Sequence, residues 1–329
     1  MKILLTGATG FLGFRTLEKL VEQEEVTSII ATGRTMKATH QVLHPKVTYV
    51  LGDLSDKAFV ESITSDVDYV IHAAALSSPW GKYSEFEDAN LRSQINLIHS
   101  VQRSKLIKYI YISTPSMYFD SNNRTNIREN EALPRKFVNA YAHTKRMAEL
   151  ELVQSGLTYV ILRPRALTGR GDTVIMPRII TSFKEGKLKI IGAGKNIVDL
   201  TSVANAVDAI LLSLKAEGPA LNQIYNITNG EPVNLWEKIG FVLQLMDKQL
   251  PPKKIPYFIV LTLAQLLEWK SKLTNWKEPV LTKYGVGVLA KTMTMDISKA
   301  KTLLGYHPSV STDEAIKEFV QWYAENEKN

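Results

Sequence analysis

The chain has 329 residues, of which 45% are hydrophobic, and 40 Lys and Arg against 33 Asp and Glu give a formal net charge of +7. This length predicts a large core and about two domains. The basic residues are scattered, which argues against a nucleic-acid-binding surface, and the absence of cysteine excludes disulfides, thiol catalysis and a cysteine-ligated zinc site.

Features of export or membrane insertion are not evident in the sequence, and no metal site is predicted. The apolar N-terminal run is interrupted between Gly7 and Gly13, before a secretory leader could form. The longest apolar run, near Ile255 to Leu267, is broken by Thr262 and Gln265 and is shorter than the ~20 residues that span a bilayer. We therefore expect a cytoplasmic protein without a transmembrane helix.

The stretch Lys2 to Leu20 joins an apolar strand, Ile3 to Leu5, to a helix through three glycines. Residues without a Cβ let the backbone approach a pyrophosphate, and the free N–H groups of a helix start attract negative charge. The spacing G-x-x-G-x-x-G departs from the usual G-x-G-x-x-G, so a turn without a ligand is the alternative to dinucleotide binding. The predicted cofactor contacts in this turn are Gly7, Thr9, Gly10, Phe11, Leu12 and Gly13.

A second strand, Thr27 to Ala31, is followed by Thr32-Gly33-Arg34. An acidic residue here would bind the adenosine ribose 2′-OH, whereas an arginine can neutralise a 2′-phosphate. Because Arg34 is present and no carboxylate is, NADP(H) is favoured and NAD(H) remains possible. A solvated loop arginine is the alternative, and Arg15 is a weaker candidate for the same phosphate.

Two more strands, Val47 to Leu51 and Tyr69 to His72, end in short polar or small-residue segments. Ligands of open α/β sheets lie beyond the carboxyl ends of the strands. The predicted cofactor contacts here are Asp53, Leu54, Ala73, Ala74 and Ala75. Asp53 is equally well explained as the N-cap of a helix that starts near Asp56.

A helix from about Phe86 to Ser104 leads to a fifth strand, Tyr109 to Ser113. Strands and helices thus alternate strictly, which predicts the α/β class with a parallel, doubly wound sheet. His72, a lone histidine on an apolar strand, is interpreted as structural.

Tyr141 and Lys145 lie four residues apart in a predicted helix that runs to Gln154. This spacing places both on one face, where the ammonium can favour the phenolate. A tyrosine with a lowered pKa can pass its proton to a carbonyl oxygen. His143 is predicted on the opposite, exposed face, and a surface Tyr–Lys pair is the alternative when the motif is taken alone.

Five motifs occur in order: T-G-A-T-G-F-L-G, G-D-L, S-T-P-S-M-Y, Y-A-H-T-K and R-P-R-A-L-T-G. With them the chain resembles an extended short-chain dehydrogenase/reductase, a Rossmann-fold enzyme, over essentially its whole length. The resemblance implies that Thr114 holds the substrate oxygen, that Tyr141 is the general acid/base, and that Lys145 binds the nicotinamide ribose. It also implies that Pro164 borders the nicotinamide and that Arg165 borders the substrate.

Departures from the family pattern indicate the branch. Nucleotide-sugar epimerases usually carry an acidic residue where Arg34 stands and a tyrosine where Thr168 stands. The C-terminal third, with the stretches 279–284, 296–300 and 304–308, resembles the 3β-hydroxysteroid dehydrogenase-like branch and, within it, bacterial reductases of 2-alkyl-3-oxoalkanoic acids. Apolar substrates with one carboxylate, or sterol-like ones, are implied.

We predict a dinucleotide-binding domain at 1–166 plus 197–230 and a smaller, discontinuous substrate domain at 167–196 plus 231–329. The first includes a helix at Val203 to Leu214 and a strand at Gln223 to Ile227. In the second, 256–269 is an apolar helix that could be a lid, a core helix, or a face that contacts a membrane or partner. The predicted substrate contacts are Trp80, Thr114, Met117 and Arg165, and further candidates for an apolar pocket are Tyr83, Phe119 and Trp276, with ordinary core packing as the alternative.

The function predicted is an NADP(H)-dependent oxidoreductase that interconverts a ketone and a secondary alcohol on a small apolar substrate. One alternative is a nucleotide-sugar epimerase or dehydratase with tightly bound NAD. Another is a cofactor-binding regulator or scaffold without catalysis, although such proteins tend to lose the tyrosine and the lysine. A homodimer through the helices after the fourth and fifth strands is expected by analogy.

Overall fold

The computed structural model describes residues 1–36 and 40–326. The strands are β1 (Lys2–Thr6), β2 (Ser28–Thr32), β3 (Val47–Tyr49), β4 (Tyr69–His72), β5 (Lys108–Ile112), β6 (Arg124–Ile127), β7 (Tyr159–Pro164), β8 (Leu167–Thr168), β9 (Ile190–Ile191), β10 (Ile197–Val198), β11 (Thr201–Ser202), β12 (Gln223–Ile227), β13 (Val233–Asn234), β14 (Lys254–Ile255) and β15 (Met293–Met295). The α-helices are α1 (Phe11–Val21), α2 (Lys57–Thr64), α3 (Tyr83–Phe86), α4 (Ser93–Val101), α5 (Ala140–Gln154), α6 (Ile175–Lys184), α7 (Val203–Lys215), α8 (Leu235–Gln244), α9 (Tyr257–Leu273), α10 (Lys283–Ala290) and α11 (Thr312–Asn326).

The larger sheet has seven parallel strands in the order β12-β7-β5-β4-β1-β2-β3. Apolar side chains of α1 and α7, such as Leu17 and Ile210, cover one face, and those of α2, α4 and α5, such as Val60, Leu97 and Leu152, cover the other. Because both faces are buried, the strands read as continuous apolar runs. The doubly wound α/β fold predicted from the sequence is confirmed.

The predicted elements of this sheet lie within one or two residues of the observed ones, and β4 and β12 coincide with their predictions. The helix predicted from Phe86 begins earlier, at Tyr83, and contains a π-helical turn at Glu87–Arg92. The alternative interpretation of Asp53 as the N-cap of α2 was wrong. Asp56 caps that helix by accepting the Ala58 N–H at 2.9 Å, whereas Asp53 accepts the N–H of its neighbour Ser55.

The smaller half of the molecule is built on a second sheet, in the order β13-β10-β15-β6, with the strand pairs β11-β8 and β14-β9 beside it. An apolar cluster of α8, α9 and α10 packs there, including Trp236, Leu243, Ala264 and Val286. Their burial explains why these segments hold together apart from the larger sheet.

The two halves are more interleaved than the predicted division of the chain. Strand β6, within 1–166, pairs with β15 in the smaller sheet, and β10, within 197–230, pairs there as well. In the reverse direction, Ile297, Leu304 and Tyr306 pack in the core of the larger sheet. The chain therefore crosses between the halves several times.

A buried ion pair joins β7 to α5. The guanidinium of Arg163 donates from Nε to Oε1 of Glu149 at 2.7 Å and from Nη2 to Oε2 at 2.5 Å, and the two side chains are 2% and 0% exposed. Arg163 Nη1 also donates to the Tyr118 hydroxyl and to the carbonyl of Glu129. Burial alone would raise the pKa of Glu149, but the charge and hydrogen bonds of Arg163 hold that pKa below its usual value.

Replacement of this arginine tests how much the pair contributes. Arg163→Met leaves the Glu149 carboxylate buried without its bidentate partner, and we expect the free energy of unfolding to fall by about 3–5 kcal/mol. Chemical denaturation followed by circular dichroism measures the loss. The double variant Arg163→Met/Glu149→Leu is expected to recover most of it, and Glu151→Gln on the same helix is the matched control. A single variant as stable as the wild type would contradict this role.

Candidate active site

The turn after β1 leaves an opening at the start of α1. A Cβ on Gly7, whose φ is +70°, would lie 2.6 Å from the Ala74 nitrogen, and one on Gly13 would overlap the Gly7 carbonyl, so packing alone requires both glycines. Gly10 differs, because it is exposed and a Cβ there would meet only the Gly7 carbonyl, at 3.2 Å. Its missing side chain leaves surface free for a ligand.

The N-terminus of α1 is chemically suited to an anion. Gly10 is its N-cap and provides no side-chain cap, and the first turn carries no acidic residue. The N–H groups of this turn are therefore open to an anionic group, which the positive end of the helix favours. The geometry fits the pyrophosphate of a dinucleotide.

Three of the other predicted cofactor residues, Thr9, Ala73 and Ala74, lie beside the strands and the turn that form this opening. Thr9 lies against Gly33 at the end of β2, and Ala73 and Ala74 donate to the main-chain and side-chain oxygens of Thr6 at 3.2 Å each. The remaining members of the set differ in exposure: Ala75, Arg34 and Asp53 are exposed, Phe11 and Pro164 are half-buried, and Leu12 and Leu54 are buried.

The two arginine candidates for a 2′-phosphate differ sharply. Arg34 is exposed, and its charge contributes to a pKa of Asp53 that is lowered mainly by the hydrogen bond from Ser55 N–H. Arg15 instead bonds Glu18 at 2.7 Å and Glu318 at 3.1 Å, with only 13% of its side chain exposed. The secondary interpretation of Arg15 as a phosphate ligand was wrong, because its charge is already neutralised.

Thr114 and Tyr141 come together at the carboxyl end of β5. Thr114 begins a short 3₁₀ turn, and its Oγ1 accepts the Ser116 N–H at 3.1 Å. Tyr141 lies in the first turn of α5, which Asn139 caps by accepting the Ala142 N–H at 2.9 Å. Local capping at both elements thus fixes the two side chains that the motifs had singled out.

Burial dominates the pKa of the Tyr141 hydroxyl and raises it, although hydrogen bonding with Ser77 and Thr114 opposes the shift. The sequence had led us to expect a pKa lowered by Lys145. That expectation was wrong, because Lys145 Nζ donates to the Ile112 carbonyl at 2.5 Å and lies 4.1 Å over the Tyr111 ring. Tyr141 is therefore protonated at neutral pH.

Lys145 is almost fully buried, with 1% exposure. Burial lowers its pKa to about 7, against the opposing effect of Glu149 one turn further along α5. Nearby, His72 is also buried, and its Nδ1 lies 2.6 Å from Thr6 Oγ1. Burial and the charge of Lys145 lower the pKa of His72, in keeping with a structural role.

A chain of hydroxyl groups extends from Thr114 into the smaller half of the molecule. Thr114 Oγ1 lies 2.9 Å from Ser116 Oγ, which lies 2.9 Å from the Tyr284 hydroxyl. Tyr284 in turn lies beside the buried Arg165. Burial lowers the pKa of Arg165, and the neighbouring Tyr284 and Asp199 partly oppose that shift. We call Thr114, Ser116 and Tyr284 the hydroxyl chain.

Sequence reasoning did not assign roles to Ser77, Tyr284 or Asp199. Burial raises the pKa of Asp199 to about 6, and Arg165 lies close enough to oppose that shift. Ser116 and Tyr284 are 168 residues apart, so no local spacing could join them. Of Ser77, Tyr284 and Asp199, only Tyr284 lies in a stretch that the sequence analysis had singled out, the motif at 279–284.

The predicted aromatic residues separate into two groups. Trp80 donates from Nε1 to Ser271 Oγ at 3.0 Å and stacks on Trp276, with both rings half-buried. Met117 and Phe119 are instead buried in a core cluster with β15. Because Met117 exposes no surface, its prediction as a substrate contact was wrong. The prediction that His143 is exposed was also wrong, because its ring stacks on that of Phe137 with 5.2 Å between the ring centroids.

Comparison with protein families matches residues 3–228 to the model described as the NAD dependent epimerase/dehydratase family. The chain is 31% identical to the 2-alkyl-3-oxoalkanoate reductase of Shewanella oneidensis, over 95% of this chain and 84% of that protein. It is 31% identical to the 3beta-hydroxysteroid-dehydrogenase/decarboxylase isoform 1 of Arabidopsis thaliana, over 98% of this chain and 79% of that protein.

Among solved structures, the fold is similar to that of the UDP-glucuronic acid 4-epimerase from Bacillus cereus in complex with NAD. The TM-score is 0.78 at 22% identity, and 99% of each chain is covered. At this identity the likeness concerns the fold, and it agrees with the doubly wound sheet described above.

The pKa of Lys145 predicts a pH dependence of stability. Between about pH 7 and the unfolded value near 10.4 the unfolded chain binds more protons than the folded chain, so the free energy of unfolding rises with pH. In Lys145→Met this contribution is absent, and we expect a smaller rise than in the wild type. Chemical denaturation at about pH 7 and about pH 9 measures it. The exposed Lys105→Met is the control, and equal rises in all three chains would contradict the buried, neutralised lysine.

Proposed function

This chain belongs to the NAD dependent epimerase/dehydratase family, and on that premise we propose that it is an NADP(H)-dependent oxidoreductase that interconverts a ketone and a secondary alcohol on an apolar substrate. The observation that carries the proposal is the pairing of Tyr141 with Thr114 at the carboxyl end of β5, with Lys145 one helical turn away. A regulator without catalysis would not need these three side chains.

The residues supply proton transfer and orientation. A ketone oxygen placed between the Tyr141 and Thr114 hydroxyls can accept a hydrogen bond from each, which stabilises the negative charge that develops on it. Because the pKa of Tyr141 is raised, the tyrosine holds a proton that it can give to this oxygen during reduction. The nicotinamide, when bound, supplies or accepts the hydride.

The cofactor contacts follow from the same geometry. The opening at Gly10 and the α1 N-terminus would hold the pyrophosphate, and Lys145 would bind the nicotinamide ribose near Pro164. Arg34 would bind the 2′-phosphate, since it is exposed at the end of β2 and no carboxylate stands in the residues Thr32 to Arg34. This is the basis for NADP(H) over NAD(H), although the family is described by its NAD dependence.

The substrate proposal is a 3-oxo acid or a sterol-like molecule. The two relatives described above act, by their names, on 2-alkyl-3-oxoalkanoates and on 3β-hydroxysteroids. The stacked Trp80 and Trp276 offer an apolar surface, and the Arg165 guanidinium at the end of the hydroxyl chain offers a charge for a carboxylate. A nucleotide-sugar epimerase is less well supported, because Arg34 and Thr168 depart from that pattern.

A cytoplasmic location and a homodimer through α4 and α5 complete the proposal. The location rests on the absence of a recognisable export signal in the sequence, and the dimer rests on analogy with the family. Such a dimer would use the side of the larger sheet that α4 and α5 cover and would leave the smaller half of the molecule free.

The reaction is tested by the rate of NADPH oxidation with a panel of 3-oxo acids. Tyr141→Phe removes the proton donor, and we expect the rate to fall roughly 10²- to 10⁴-fold. Tyr69→Phe is the matched control. Tyr69 lies at the amino end of β4, away from the carboxyl ends of the strands where the site lies, so this variant is expected to keep the wild-type rate. Equal rates in the wild type and Tyr141→Phe would exclude the mechanism. Tightly copurifying NAD without net NADPH consumption would indicate an epimerase instead.

The cofactor preference is tested separately by titration calorimetry with NADPH and NADH. Arg34→Ala removes the charge proposed for the 2′-phosphate, so we expect NADPH affinity to fall roughly 10- to 100-fold while NADH affinity stays constant. The exposed Arg103→Ala controls for a general loss of positive charge. Tighter binding of NADH by the wild type, together with a neutral Arg34→Ala, would overturn the NADP(H) assignment.

A further inference from the structure

Helix α9 carries a large apolar surface that faces solvent. Phe258, Leu266, Trp269 and Leu273 are each 60–68% exposed, and Ile259 and Leu263 are 49% and 47% exposed. At 100° per residue all six lie within an arc of roughly 140° along a helix of roughly 25 Å. Thr262 and Lys270 are the polar residues in that arc. The Thr262 hydroxyl donates to the Phe258 carbonyl at 2.9 Å, and Lys270 lies in the last turn of the helix.

The opposite side of α9 is the side that packs. Val260, Ala264, Glu268 and Ser271 are buried there, and Val260 and Ala264 belong to the core cluster with α8 and α10. The helix is therefore not a core helix, since the larger of its apolar faces has no contact that would keep it from water. Exposed apolar patches of this size mark sites of interaction.

The charges around this face are almost all positive. Within 251–277 the exposed charged side chains are Lys253, Lys254, Lys270, Lys272 and Lys277. The acidic residue of this stretch, Glu268, is buried and accepts the Lys283 N–H at 2.7 Å. Lysines thus flank the apolar face at both ends of the helix.

We propose that the exposed face of α9 docks on an anionic lipid bilayer, with the helix lying in the plane of the interface. Apolar side chains would enter the boundary between headgroups and acyl chains, and the lysines would reach the anionic headgroups. The helix would lie on the membrane rather than cross it: no helix in the described residues has the length and apolarity needed to span a bilayer.

Charge complementarity favours lipid over a second copy of the chain. Two α9 faces packed against each other about a two-fold axis would bring both sets of lysines together, with no exposed carboxylate in 251–277 to offset them. The exposed carboxylate that follows, Glu278, is already paired with Arg178 at 2.9 Å. A surface of negatively charged headgroups meets the same lysines with the opposite sign. The proposed homodimer through α4 and α5 would leave this face uncovered.

Docking at α9 would also place the site near the lipid. Ser271 of α9 accepts the Trp80 indole N–H, and Lys272 Nζ lies 5.7 Å over the Trp80 ring and 6.0 Å over that of Trp276. The adjacent α10 carries Tyr284 of the hydroxyl chain. An apolar ketone dissolved in the bilayer could then reach the site beside the Trp80–Trp276 pair, a step that rests on the proposed function.

Vesicle flotation with the full chain tests the docking without any assay of activity. The probes are vesicles of phosphatidylcholine alone and of phosphatidylcholine mixed with phosphatidylglycerol. We expect the wild type to float with the mixed vesicles, and Leu266→Glu to lose at least about tenfold of that binding, because a carboxylate enters the lipid-facing side of the helix. Leu43→Glu, which places the same charge at a position that is 83% exposed elsewhere, is expected to bind as the wild type does.

The lysines have their own prediction. Lys253→Gln/Lys254→Gln is expected to bind mixed vesicles roughly 30-fold more weakly and to leave the weak binding to phosphatidylcholine unchanged. Equal flotation of wild type and Leu266→Glu would overturn the proposal. So would a chain that binds neither vesicle and forms a dimer that Leu266→Glu dissociates, because the face would then belong to a second copy.

Circular dichroism and the Tm of each variant show whether it is folded, and turnover of a short, water-soluble 3-oxo acid is expected to be unchanged in Leu266→Glu. A chain that floats with anionic vesicles but reduces no ketone would retain the docking face and contradict only the proposed function.

Discussion

The ion pair between Arg163 and Glu149 is the contact on which the site depends. One guanidinium, almost fully buried, holds the carboxylate of α5 in two hydrogen bonds and also donates to the Tyr118 hydroxyl in the turn after β5. The three segments fixed in this way are the ones that carry Thr114, the Tyr141–Lys145 face and the end of β7. Burying the pair costs desolvation free energy, but it fixes the positions of the three segments, because separating the partners would leave a buried charge without its counter-ion.

The same carboxylate influences the electrostatics of the site. Glu149 stands one turn beyond Lys145 on α5 and opposes the loss of that lysine's charge, while burial favours it. Tyr141, one turn before Lys145, is held in its protonated form by burial. The helix therefore presents three titratable groups in a row whose pKa values are shifted from those in water, as is common where proton transfer is carried out.

The larger sheet could be predicted from the sequence because its strands are short apolar runs between helices of clear periodicity. The hydroxyl chain that extends from Thr114 could not be predicted from the sequence. Ser116 and Tyr284 meet only because α10 packs against the segment that follows β5, a contact between residues far apart in the chain. Likewise α9 is apolar on most sides, so its composition did not reveal which side is buried. His143 has a polar side chain, and only the tertiary neighbours of the helix place it against Phe137.

The crossings of the chain between the two sheets have a consequence for biosynthesis. The strands of the larger sheet are complete once β12 has been made, but its core also needs Ile297 and Tyr306, and the smaller sheet needs β15. Tyr284 likewise lies far downstream of the serine that it bonds. A nascent chain can therefore pair its nucleotide-binding strands early, yet it cannot complete the site and its core until the residues from Tyr284 to Tyr306 have left the ribosome. Protection of the unfinished surfaces during that interval, by chaperones or by rapid translation, would bear on the yield of folded protein.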